Sequence, residues 1–152
     1  MGMQRTCKKK KNTNNKTLKS GGKSRFITKA KEQKEIVEKM LEMLNIIKLF
    51  HWNTHSLSLH NATDKLYDSL NAHIDKFVEY MIGKSTFQVK GICHPCSKVL
   101  SQKEFLKRVE SYKKFIQYVS GRFDPSIDAD LKAICDDILG DFNQLLYFFR
   151  MN

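Results

Sequence analysis

The sequence predicts an all-α domain, an antiparallel four-helix bundle with a long loop between its second and third helices. Apolar residues recur at three- and four-residue spacing in four separate stretches, and the alternation of β-branched residues that marks a sheet is absent. Each stretch carries only one apolar stripe, so the four must bury those stripes against one another.

The first helix is expected from about Lys31 to Asn53. Val37, Met40, Leu41, Leu44, Ile47 and His51 follow one stripe, while Glu35, Glu38, Lys39, Glu42 and Lys48 take other faces. A second helix is expected from about Leu59 to Ile82, with Ser56 or Ser58 as its N-cap and Gly83 as its stop. Its stripe is Leu59, Leu66, Leu70, Ile74, Phe77 and Met81. Residues 84–100 hold Gly91 and Pro95 and lack helical periodicity. Ser101 with Glu104 reads as a capping box for a third helix reaching Ser120, lined by Phe105, Val109, Tyr112, Ile116 and Val119 and stopped by Gly121. After the Asp124-Pro125 turn, a fourth helix is expected from about Ser126. It carries Leu131, Ile134, Cys135, Ile138, Phe142, Leu145 and Phe149.

Charge divides the chain into an arm, residues 1–31, and a bundle domain, residues 32–152. The arm holds eleven Lys or Arg and no Asp or Glu; the body holds sixteen of each, so the whole net charge of +11 resides in the arm. Lys, Asn, Thr, Gly and Ser dominate the arm, which is expected to be disordered unless bound. A polyanion suits it, nucleic acid above all, bound without sequence preference and with an affinity that falls steeply with salt. The candidate contacts are Arg5, Lys8, Lys9, Lys10, Lys11, Lys16, Lys19, Lys23 and Arg25. A solubilising tail, or packing on an acidic neighbour, is the alternative. The basic start is not followed by an apolar signal-peptide core, and no stretch approaches the roughly 20 apolar residues of a membrane span. Scattered cysteines at 7, 93, 96 and 135 fit a reducing, intracellular setting.

Chemistry concentrates in residues 51–79, which contain four of the five histidines and the i,i+4 pair Asp75 and Glu79. Imidazole and carboxylate together suit non-haem iron, with manganese or zinc as other options. His51 faces the buried side of its helix. His60, Asp64, Asn71, Asp75 and Glu79 fall within an arc of roughly 100 degrees at the edge of the second apolar stripe. A half-buried carboxylate pair is unfavourable unless a positive charge sits between its members. The plainer reading is that the acids face solvent and His51 is a hydrogen-bonded core histidine. Asp137 and Asp141 lie one turn apart on the fourth helix, and Asp141, on the side expected to be buried, is the reserve metal ligand.

His51-Trp52-Asn53, then His60 and Asp64, then His73-x-Asp75-x-x-x-Glu79, resembles the ferroxidase signature of the Dps-type miniferritins. The wording Thr-Asp-Lys-Leu-Tyr and Leu-Asn-x-x-Ile-Asp is similar to that of uncharacterised ferritin-like proteins of large DNA viruses. The resemblance implies a ferritin-like bundle, a short helix in the middle connection, a closed shell of identical subunits, and Fe(II) bound across a two-fold interface. It implies that His51 and His60 come from one subunit and Asp75 and Glu79 from its neighbour, all four acting in catalysis, with Asp64 near the metal and Trp52 packed beside it. A lysine-rich arm that binds DNA is also part of the pattern. The chain departs from it in a shorter connection between His51 and His60, and in Tyr80 where the pattern has arginine.

Cys93-His94-Pro95-Cys96 is a single Cys-x-x-Cys. With His94 it is one ligand short of a structural zinc site, and as a dithiol it suits redox exchange; two unremarkable surface thiols are the third option. Cys135 reads as core. The resulting expectation is an iron-binding, iron-oxidising protein that uses peroxide or dioxygen and holds nucleic acid through its arm. The competing expectation is a non-enzymatic virion or genome-packaging protein built on the same bundle, found in virion and host cytoplasm.

Overall fold

A computed structural model describes residues 29–93 and 98–151. The nine candidate nucleic-acid contacts from Arg5 to Arg25, together with His94 and Cys96, lie outside them. Four helices are present: α1 Ala30–Asn53, α2 Leu57–Gly83, α3 Gln102–Ser120 and α4 Ala129–Arg150. The described residues contain no strand.

Side-chain contacts between the ends of the helices define the topology. Phe50 near the end of α1 stacks on Phe105 at the start of α3 with ring centroids 4.0 Å apart, while Glu32 at the start of α1 meets Arg122 beyond the end of α3 at 3.5 Å. Lys84, just past α2, donates to the Ile127 carbonyl at 2.9 Å and pairs with Asp130 at the start of α4. α1 and α3 are therefore antiparallel, as are α2 and α4, and the short turns make α1/α2 and α3/α4 antiparallel too. Those four pairs are the contacts of the bundle, leaving α2 and α3 parallel on one diagonal. The connection from Lys84 to Ser101 must then run the full length of the molecule, the arrangement of bundles with one long crossover.

The crossover is pinned to the body. Phe87 and Leu100 are buried, and the Cys93 backbone N–H donates to Glu38 Oε1 on α1 at 3.0 Å. The short helix implied by the resemblance is not found among the described residues of this connection. They form turns and extended chain, and Gly91 at φ +61° takes the left-handed conformation that interrupts a helical path.

The stripes expected on α2, α3 and α4 are buried residue for residue. Ser56 caps α2 through the Leu59 N–H, and Ser101 with Glu104 forms the expected capping box on α3. α4 starts at Ala129 rather than near Ser126, because the Asp124 carboxylate takes both the N–H and the hydroxyl of Ser126 and closes a separate turn.

α1 differs most from its expected pattern. Ile36, Met43, Ile46 and Phe50 are buried beside the expected stripe, since α2, α3 and the crossover all cover this helix, whereas Leu41 is only half-buried. Glu42, expected on another face, is buried. Its Oε1 accepts from Arg108 Nη1 and the Tyr112 hydroxyl, both at 3.0 Å, and its Oε2 from Lys39 Nζ at 2.7 Å. Burial opposes its ionisation, but the hydrogen bonds from Lys39 and Tyr112 and the charges of Lys39 and Arg108 outweigh it, so the carboxyl lies below its ordinary value. Burial, and then the Glu42 charge, push the Tyr112 phenol far above its own.

A folded-state pKa below the unfolded one stabilises fully above the unfolded value and is lost as pH falls through the folded one. Glu42→Gln is therefore expected to be less stable than the parent at pH 7, with the gap narrowing as pH falls below the unfolded carboxyl's value of about 4.3 and closing only once it has passed below the depressed folded one. Urea midpoints of both proteins from pH 7 to 3 check this; a gap that does not change with pH would contradict it.

Candidate metal site

Three residues, Thr54 to Ser56, separate α1 from α2. So tight a turn carries His51, in the last turn of α1, onto His60 in the first turn of α2, and their rings stack with centroids 3.9 Å apart. His51 Nδ1 lies 3.1 Å from the His60 carbonyl oxygen, and His60 Nδ1 lies 3.1 Å from the His51 carbonyl oxygen. A carbonyl oxygen only accepts, so each Nδ1 carries a hydrogen and donates it. In the neutral imidazoles both Nε2 atoms then keep a lone pair. The latch is reciprocal. Thr63, wholly buried, donates its hydroxyl to the Leu59 carbonyl at 2.7 Å, and its oxygen lies 3.4 Å from His51 Nδ1.

His51 Nε2 faces Asp64 Oδ1 at 3.5 Å. A lone pair opposite a carboxylate is repulsive, so a cation between them is favoured. Lys48 Nζ stands 3.5 Å from the same oxygen and 4.4 Å from the centre of the Tyr67 ring, which supplies part of the balancing charge.

Asp75 and Glu79 are exposed, one turn apart, on the outer face of α2. Fifteen residues of helix separate His60 from Asp75, about 22 Å, so one chain does not bring the acids to the histidines. Among the described residues no three His, Cys, Asp or Glu side chains converge on one point. Trp52 is 67% exposed, because one step along the helix from His51 turns it out of the bundle.

Asp141 is half-buried between α4 and α2. Its Oδ2 accepts from Ser69 Oγ at 2.7 Å and His73 Nδ1 at 2.9 Å, beside a cavity of about 210 Å³ lined also by Lys65 and Gln144. Sequence reasoning listed neither Ser69 nor His73 as site residues. Their one-turn spacing on α2 was legible, but the pairing with α4 follows only from which helices become neighbours. Cys93 is exposed at its place on the crossover, and Cys135 is core as expected, where burial pushes its thiol up to about 12.

No helix of the described residues is long and apolar enough to cross a membrane. No curated protein and no solved structure matches this chain. Residues 51–149, from the first histidine of the latch to the end of α4, match a family of unknown function, DUF5856, and the chain belongs to that family.

Proposed function

We propose that the chain binds Fe(II) between two copies of itself and oxidises it, as the Dps-type miniferritins it resembles do, while its basic arm holds nucleic acid. The observation that carries this reading is the reciprocal histidine latch. It fixes both tautomers with Nδ1–H tied to a backbone carbonyl, the arrangement common in metal-binding histidines, and it leaves both Nε2 lone pairs free of those bonds, that of His51 lying 3.5 Å from Asp64 Oδ1.

The outer face of α2 supports a two-fold partner. Leu57, His60, Asp64, Asp75, Glu79 and Ile82 share an arc of about 100 degrees. A two-fold axis midway along α2, between Ser69 and Leu70, sets His60 opposite Glu79 of the partner subunit and Asp64 opposite Asp75 of the partner subunit. Leu57, 75% exposed, then meets Ile82 of the partner subunit. The donor set, imidazole with carboxylate, fits iron, and manganese or zinc as inert occupants. His51 and His60 hold the substrate ion, Asp75 and Glu79 balance its charge as it rises from Fe(II) to Fe(III), and the electron passes to peroxide or dioxygen. The imidazoles bind the ion through their unprotonated Nε2 atoms. Holding nucleic acid on the arm would remove iron and peroxide close to the strand they damage.

Fe(II) oxidation by the purified chain, followed by ultraviolet absorbance, is the test. The parent is expected to be about tenfold or more faster than a double His51→Ala, Glu79→Ala variant. Equal rates would remove the enzymatic reading and leave the non-enzymatic packaging one.

A further inference from the structure

The groove between the first half of α3 and the last turns of α4 has a volume of about 610 Å³ and an apolar floor formed by Leu106, Leu146 and Phe149. Lys107, Lys114 and Arg150 stand around it. Two other cations of α3 are already matched: Arg108 pairs with Glu42 at 3.0 Å and Lys113 with Glu110 at 3.7 Å. Among the described residues Lys103, Lys107, Lys114 and Arg150 have no ion-pair partner, and the one acid of the groove, Glu110, is engaged by Lys113.

We propose that this α3/α4 groove is a binding track for single-stranded nucleic acid, built into the folded body and separate from the basic arm. Lys103, Lys107, Ser111, Lys114 and Tyr118 share one stripe of α3, which rises about 22 Å from first to last. Tyr118 is 60% exposed at the far end of that stripe, and the Arg122 guanidinium carbon lies 5.8 Å from its ring centre, which sets a further cation beside the aromatic surface offered to a base. A cationic track beside apolar and aromatic surface takes phosphates on the cations and bases on the floor, without reading sequence. A long-chain carboxylate would use one of the four unmatched cations; a strand repeats its charge along all of them. Both polyanion elements therefore lie on one chain, and a strand held by the arm can be laid along the body.

The test is fluorescence anisotropy of a labelled 20-nucleotide oligothymidylate with the full chain, so that the arm is the same in every protein. The double variant Lys107→Glu, Lys114→Glu is expected to bind about tenfold or more weakly at about 0.1 M salt, with its log-log salt slope less steep by about 1.4. Glu110→Lys is expected to bind more tightly. All three sites are exposed, and circular dichroism checks that the bundle is intact. Unchanged affinity and slope in both variants would overturn the proposal and leave binding to the arm alone. A loss just as large for labelled polyglutamate would overturn the assignment to nucleic acid, and groove-dependent binding of dodecanoate with unaltered oligonucleotide binding would assign the groove to an amphiphile.

Discussion

Adding Zn(II) to the chain at neutral pH is expected to drive it from monomer to dimer. In the metal-free state the outer face of α2 opposes its own association, because Asp64, Asp68, Asp75 and Glu79 are all exposed there and an antiparallel pairing doubles their number. A divalent ion held by His51 and His60, with Asp64 near it, on one side, and by Asp75 and Glu79 of the partner subunit on the other, would turn that repulsion into attraction. Binding energy available only to the associated state stabilises it, about 2.7 kcal/mol for each site at a metal concentration of about 100 times its dissociation constant. Two symmetry-related sites raise the association constant about 10⁴-fold. Sedimentation with and without Zn(II), which cannot be oxidised, reads this directly. Asp75→Asn with Glu79→Gln is expected to act in opposite directions in the two conditions, abolishing the metal response while easing association without metal. An unchanged association constant, with metal binding lost in Asp141→Ala, would move the site into a single bundle.

Phe105→Ala is expected to have the largest effect on stability. Phe105 is fully buried at the start of α3, 4.0 Å from the Phe50 ring and 5.7 Å from the Phe149 ring, and Phe50 and Phe149 lie 5.8 Å apart. This triad joins the ends of α1 and α4 through the start of α3, so truncation leaves a cavity where three helices meet. Such truncations cost about 3–5 kcal/mol, and each lost aromatic pair adds about 0.5–1.5 kcal/mol beyond area. Against a total stability of about 5–15 kcal/mol for a domain, the loss is a large share, and the variant's urea midpoint is expected well below that of the parent. Phe105→Leu, which refills most of the volume, is expected to recover much of the loss. Urea unfolding of the three proteins checks the order; a Phe105→Ala midpoint within error of the parent would contradict it.

The amphipathic periods on α2, α3 and α4 determined which residues enter the core, because a helix in a bundle buries one stripe whichever neighbour covers it. The capping box at Ser101 and Glu104 was legible for a similar reason, since its partners lie within one turn of chain. The nearness of His51 to His60 was not legible in the same way, because the second helix was expected from about Leu59 and instead begins at Leu57. A turn of three residues allows the two helices little choice of placement.

Tertiary structure decided what depends on which helices become neighbours. Glu42 has the appearance of a solvent-facing charge in sequence, and is buried because Arg108 and Tyr112 of α3 and Lys39 of α1 supply three donors to one carboxylate. Asp141 was picked out by the angle of its helix, but its engagement by Ser69 and His73 requires α2 to lie beside α4, a consequence of the crossover. Trp52 faces outward for the complementary reason: one step along α1 from His51 takes it off the face that the other helices of the bundle cover. The separation of about 22 Å between His60 and Asp75 follows from helical rise alone, so the sequence by itself determined that these side chains cannot meet in one chain. Tertiary structure added that the acids face outward, where a second copy can reach them.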